Sequence, residues 1–182
     1  MSAAARARET EAVTAITAIA PDGSPYPIGK LEAHRLGAHH LAVSVFVMDG
    51  DALLIQQRAW DKYHCGGLWA NSVCSHPAWG ETPARCAERR LLEELGIGLP
   101  VRACGVIDYR AEVTDGLIEC ERVHVFRAEA SAETLAVRPD PNEVSATAWA
   151  KLEALHHRLD SAPETLTPWF QIYLRRWSEL GL

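Results

Sequence analysis

Two carboxylates, one cysteine and a set of histidines hold most of the chemical potential of this 182-residue chain. Glu119 and Glu121 stand two positions apart in a strand-forming run, so both side chains leave one face, which Val123 and Val125 continue. Two carboxylates on an apolar side cannot stay unpaired without a large desolvation cost. Either a metal ion or a basic partner meets them there, or the pair ends in a frayed, solvated hairpin. Cys120 lies on the opposite face of the same strand. Cys74 sits in a loop with Ser75, His76 and Pro77 just ahead of a helix start, where the local positive potential favours a thiolate. The plainer alternative is an ordinary buried cysteine. A structural zinc site built on Cys65, Cys74 and His76 has no closely spaced cysteine pair to support it. The histidines number eight, and each needs a partner before it counts as a ligand, because a lone histidine is more often structural. Arg90 and Glu94, four apart, suit a helical ion pair worth a few tenths of a kcal/mol.

The elements that must position these groups follow from patterning. Leu41 to Met48 and Ala52 to Gln57, separated by Asp49-Gly50-Asp51, form a hairpin. Thr82-Pro83 supplies an N-cap and a proline at the first helical position. Ala84, Ala87, Leu91 and Leu95 then recur at helical spacing, and Gly96 stands at the stop, which gives a helix of about four turns. Val101 to Arg110 and Leu117 to Ala128 are strands joined near Thr114-Asp115-Gly116. Val144 to Trp149 is a strand, Leu152 to Leu159 a short helix, and Trp169, Ile172, Tyr173, Trp177 and Leu180 have the period of a final amphipathic helix.

A chain of this length suits one domain. Its net charge of -6 argues against a nucleic-acid protein and requires local cations or a metal to hold any anionic substrate. Five cysteines at irregular spacings do not form a disulfide framework, and a reducing cytoplasm fits them best. No apolar run approaches the roughly 18 residues of a membrane span, and the start has no signal-peptide core. Residues 1–25 are expected to be a loosely ordered, Ala-rich tail, and 26–182 a single domain.

Trp69 to Ile97 carries a family resemblance. Counting back from Glu93-Glu94-Leu95-Gly96-Ile97, Arg89, Leu91 and Glu81 fall on the Arg, aliphatic and first Glu positions of a Nudix box. Ser75 replaces its glycine, and Arg90 replaces the glutamate of the hydrolases' metal cluster. Trp69-Ala70-Asn71-Ser72-Val73-Cys74-Ser75-His76-Pro77 resembles the signature loop of type I isopentenyl diphosphate isomerases, with Ala70 for the usual threonine. The resemblance spans roughly residues 30–169. It implies an α+β fold, an α/β sandwich in which a Nudix-like mixed sheet is flanked by helices. It also implies interconversion of isopentenyl and dimethylallyl diphosphates through a tertiary carbocation, in isoprenoid biosynthesis.

The same resemblance implies the site. His34, His40, His76, Glu119 and Glu121 would hold one Mn2+, Zn2+ or Mg2+, with His39 beside His40 leaving the register of that ligand open. Glu94 would hold a second Mg2+ shared with the substrate diphosphate, which Arg58, Lys62, Arg90 and Lys30 would contact. Glu121, with Tyr109 as relay, and Cys74 would be the acid–base pair on opposite faces of the substrate, in either direction. Trp169 would face the cation with its ring, although on the residues alone a place in the core of the last helix is the better account. His64, His124, His156 and His157 receive no part. The partner is then a small allylic or homoallylic diphosphate, without nucleic acid or membrane, and the chain is a monomer or dimer. The rival activity is that of a Nudix hydrolase cleaving a nucleoside diphosphate derivative, against which Arg90 speaks, since a cation there removes a metal ligand and adds repulsion. A non-catalytic zinc or effector-binding module is the remaining alternative.

Overall fold

A computed structural model describes residues 15–182. Its strands are β1 (Ala15–Ile19), β2 (Pro25–Gly29), β3 (His40–Asp49), β4 (Ala52–Arg58), β5 (Trp69–Ala70), β6 (Val73–Ser75), β7 (Arg102–Glu112), β8 (Ile118–Glu129) and β9 (Val144–Lys151). The helices are α1 (Lys30–Leu36), α2 (Pro83–Leu95), α3 (Leu152–Ser161) and α4 (Pro168–Arg175).

Strand β3 is the hub of the mixed sheet. Its residues alternate between two buried faces, which is why the run is apolar throughout rather than at every second position. Ala42, Phe46 and Met48 join a core with Ile107, Val123 and Val125 under α3 and α4. Val43, Val45 and Val47 join another with Cys86, Ala87, Leu91 and Leu95 of α2. Helices thus cover both faces, and burial of a side chain such as Leu91 or Leu95 contributes about 1.5–3 kcal/mol.

Along one edge β3 runs parallel to β8 from His40↔Glu121 to Met48↔Glu129. The expected hairpin is present, but β3 and β4 stay paired only at Met48↔Leu53 and Asp49↔Ala52. Beyond that, β4 diverges to pair with β9 and β5, while β6 pairs with β3. Asn71 and Ser72 stitch the divergence. The Asn71 side-chain amide donates to the carbonyls of Val45 and Val73, Ser72 Oγ donates to Leu54 O, and Val47 N–H donates to Ser72 Oγ. Backbone groups that lost their strand partner are satisfied by these two side chains, which explains a polar dipeptide with no exposure at all.

Three expectations are corrected. Within the stretch expected to be a tail, Ala15–Ile19 is a strand paired with β2, with Ile16 and Ala18 buried; residues 1–14 lie outside the described residues. On α2, Thr82 caps through Oγ1 and Gly96 ends the helix at φ 66°, but Ala84 is exposed and Cys86 takes a core place. The final helix stops at Arg175, and Trp177–Glu179 form a separate 3-10 turn.

Candidate active site

Strand register assembles the site. His40 sits opposite Glu121 on β8, Ser44 opposite Cys74 on β6, and Tyr109 of β7 opposite Glu121 from the other side. Glu119 and Glu121 are both buried on the core face, whereas Cys120 is partly exposed, so the solvated-hairpin alternative does not hold.

His34, His40, His76 and Glu121 each place one ligand atom within 4.8 Å of the others. Their hydrogen bonds show which atoms face inward. Nδ1 of His34 lies 2.7 Å from Lys30 O, and Nδ1 of His40 2.7 Å from Ala38 O. A carbonyl only accepts, so both Nδ1 atoms carry a proton, and Nε2 is the atom each ring turns toward the cluster. These two Nε2 atoms are buried without a hydrogen-bond partner. Nε2 of His40 is 3.5 Å from Glu121 Oε1, and Nε2 of His76 is 2.9 Å from the same oxygen. With Nδ1 unpartnered, a neutral His76 can donate from Nε2 to that oxygen, and the same oxygen and nitrogens are the atoms a shared cation would draw on. Ligands on a common ion with bonds of roughly 2.1 Å lie about 3.0–3.5 Å apart when adjacent. The donor set therefore fits a divalent ion, and its nitrogen-rich character fits the borderline metals. His39 is instead at the surface, 3.2 Å from Asp108, which settles which of the two adjacent histidines joins the cluster. Among the described residues no cation-holding group contains a cysteine.

Burial sets the protonation states. It is the main cause that holds His34 down to about 4 and His76 down to about 3, so both rings are neutral at pH 7. Glu119 is pushed well above the carboxylate range by burial and by the Glu121 charge. For Glu121 burial acts the same way, but His40 and His76 outweigh it and hold the group ionised. The Tyr109 hydroxyl donates to Glu121 Oε2 at 2.8 Å or Glu119 Oε2 at 2.9 Å. One phenolic proton cannot serve two carboxylates at once, so the second needs its own proton or a cation.

Cys74 departs from expectation. Its Sγ is 2.8 Å from Ser44 Oγ and 3.6 Å from the Tyr173 hydroxyl, and Ser44 Oγ donates to Tyr173 at 2.8 Å. Burial, then the nearby Glu121 carboxylate, push the thiol far above its ordinary value. The helix potential does not overcome these effects, and the resting sulfur is a thiol rather than a thiolate.

All four expected cations, Lys30, Arg58, Lys62 and Arg90, line the same cavity as Cys74, His76, Tyr109, Glu119, Glu121 and Trp169, around about 460 Å³ of empty space partly open to solvent. Arg58 and Lys62 come from a loop closed at its base by Arg58 N–H to Leu68 O (2.9 Å) and Gly67 N–H to Arg58 O (3.1 Å). Gly67 has φ +77°, and a Cβ there would come within 2.3 Å of the Trp60 ring, so the tight return needs glycine. Arg90 makes the expected ion pair with Glu94, Nη2 to Oε1 at 2.8 Å, while Gln56 donates to Glu94 Oε2 at 2.9 Å. Arg90 Nε also donates to Oε1, at 3.0 Å, so it is Oε2 that retains a further lone pair for a cation. Arg58 lies over the Trp169 ring, 5.2 Å from its centroid, so one ring face already meets a protein cation. The remaining box residues brace the loop ahead of α2, with Arg89 donating twice to Glu81, Nε at 2.7 Å and Nη2 at 2.8 Å.

Sequence reasoning missed two cavity residues. His64 lies in the Arg58 loop and, with His34 and Glu119, forms a second group of mutually close ligand atoms. Glu143, 2.9 Å from Lys62 and 3.3 Å from Arg90, balances two of the cations. Their only sequence signal is position, His64 two residues after Lys62 and Glu143 just before β9.

The NUDIX domain family matches residues 38–170. An isopentenyl-diphosphate Delta-isomerase of Rhodobacter capsulatus is 50% identical over 160 residues, 87% of this chain and 90% of that protein. One from Dinoroseobacter shibae is 55% identical over 159 residues, covering 87% and 90%. Among solved structures, DR0079 from Deinococcus radiodurans superposes with a TM-score of 0.72 at 17% identity, covering 89% of this chain and 98% of that one. A MutT NUDIX hydrolase from Burkholderia pseudomallei gives 0.57 at 23% identity, covering 75% and 96%. These two likenesses concern the fold.

Proposed function

Since the chain belongs to the NUDIX domain family and, within it, to the isopentenyl-diphosphate Delta-isomerases, we propose that it interconverts isopentenyl diphosphate and dimethylallyl diphosphate. The observation that carries the reading is the joint lining of one cavity by a thiol, a carboxylate–phenol pair and four cations. A double bond without activating groups moves only if one carbon gains a proton while another loses one. Those two tasks need groups of opposite protonation state.

In the direction of dimethylallyl diphosphate, the Glu121 carboxyl, with Tyr109 as relay, gives its proton to the terminal carbon. The double-bond electrons form that C–H bond and leave a tertiary carbocation. Cys74 as thiolate then takes a proton from the carbon beyond, and the C–H electrons close the new double bond. The enzyme ends with Glu121 ionised and Cys74 protonated. Burial favours the Cys74 thiol and the His40 and His76 contacts favour the Glu121 carboxylate, so the residues stand ready for the reverse reaction, and before each forward turnover Cys74 must lose a proton and Glu121 must gain one.

Lys30, Arg58, Lys62 and Arg90 anchor the diphosphate, Arg through a planar fork and Lys through a point charge. Trp169 lines the same cavity, and the part of its ring not covered by Arg58 is the surface offered to the developing cation. When bound, a divalent ion on His34, His40, His76, Glu119 and Glu121 supplies charge that fixes the carboxylate and tunes its proton affinity, and Mg2+ at Glu94 supplies charge that keeps the diphosphate from departing. Five cysteines without a disulfide suit the reducing cytoplasm as the place of action.

The test is an NMR assay of purified protein with isopentenyl diphosphate and Mg2+ in deuterated water. Dimethylallyl diphosphate carrying solvent deuterium is the expected product. Unchanged substrate, alongside phosphate release from nucleoside diphosphate derivatives, would refute the reading in favour of hydrolysis.

A further inference from the structure

His64 is the cavity histidine to which the family pattern gives no part, and its surroundings are those of a ligand. It is 6% exposed, and its Nδ1 is buried without a hydrogen-bond partner. Its ligand atom lies within 4.8 Å of those of His34 and Glu119, which are likewise within 4.8 Å of each other. A single ion with bonds of roughly 2.1 Å spans donors from about 3.0 Å apart when adjacent to about 4.2 Å when opposite, so modest adjustment closes this triangle. We propose that His64 is a fourth imidazole donor of the metal centre, completing with His34 and Glu119 a second, overlapping cation position that takes a nitrogen-seeking divalent ion such as Zn2+ or Co2+. The inference rests on the metal centre proposed above.

The ring is held in place from several directions. The edge of Trp169 is 5.8 Å away centroid to centroid, Tyr63 packs edge-on at 4.4 Å, and the His64 carbonyl accepts from Arg58 Nη2 at 3.3 Å. The His34 and His64 rings are 5.9 Å apart. A residue there only to pack under Trp169 would not need a polar nitrogen, and leaving one buried and unsatisfied is unfavourable. His34 belongs to both ligand groups and has only Nε2 to offer, because its Nδ1 is taken by Lys30 O. The two positions therefore overlap and cannot both be filled through His34. One ion per chain is expected at the centre, drawing on a wider donor set than three histidines and two carboxylates.

The experiment uses the full-length chain, labelled with 15N-histidine and loaded with 113Cd2+. Scalar coupling between cadmium and ring nitrogens is read for each histidine, with rings assigned through bonds in the parent protein. Coupling to His64 is the expected result. Coupling confined to His34, His40 and His76 would overturn the inference and leave the centre intact, whereas coupling to no histidine would remove both. As a second readout, Co2+ affinity is measured by competition with a chromophoric chelator. The His64→Gln variant, checked for folding by circular dichroism, is expected to bind Co2+ roughly 10- to 100-fold more weakly. Affinity equal to the parent's would overturn the proposal.

Discussion

Replacing Tyr109 with phenylalanine isolates the contribution of one buried hydroxyl. Phe keeps the ring, and with it the edge-to-face packing on Tyr173 at 6.0 Å, so the change removes the donor and little else. The lost proton served Glu121 at 2.8 Å or Glu119 at 2.9 Å, and both carboxylates are buried. A hydrogen bond to a charged partner is worth about 1.5–3 kcal/mol. If that energy is spent on holding and supplying Glu121 during proton transfer, kcat falls by roughly 10- to 150-fold. The cations that bind the diphosphate are separate side chains, so KM should stay within about threefold. The assay follows conversion of isopentenyl diphosphate at saturating and limiting substrate, with circular dichroism as a check on folding. A kcat within about twofold of the parent, or a loss expressed wholly in KM, would refute the relay assignment.

Other outcomes follow from the same geometry. Cys74→Ala and Glu121→Gln should each reduce kcat by roughly 100- to 10,000-fold while the proteins remain folded, and near-parent turnover in either would end the acid–base assignment. Chelation should abolish turnover and, where the ion was at about 100 times its dissociation constant, remove about 2.7 kcal/mol of stability; a melting midpoint that does not move would argue against a buried ion. Asn71→Leu should lower stability by about 2–4 kcal/mol in urea unfolding, because the carbonyls of Val45 and Val73 lose their donor. Alkylation of Cys74 by iodoacetamide should be slow at pH 7 and still rising with pH at about pH 9, as a raised thiol pKa requires, and a plateau below about pH 8 would contradict the burial argument.

The amino-acid sequence determined what is local. The cap, proline and glycine around α2, the Asp49-Gly50 turn and the period-two placing of Glu119 and Glu121 are each decided by residues close in the chain, and they were legible for that reason. The loop from Trp69 to Pro77 and the altered box identified the family because the chemistry constrains many residues in one short span. Other features depended on separations of tens of residues. The divergence of β4 from β3 is fixed by two side chains, Asn71 and Ser72, about two dozen residues beyond the strand they serve. The choice between His39 and His40 was made by the parallel register with β8. The protonation state of Cys74 was set by enclosure among Ser44, Tyr173 and Glu121, which a reading based on the nearby helix start could not weigh. His64 and Glu143 stand in loops with no periodicity of their own. Only the folding of those loops over the cavity brought one beside His34 and Glu119 and the other between two cations, because desolvation and ligand geometry act through space and not along the chain.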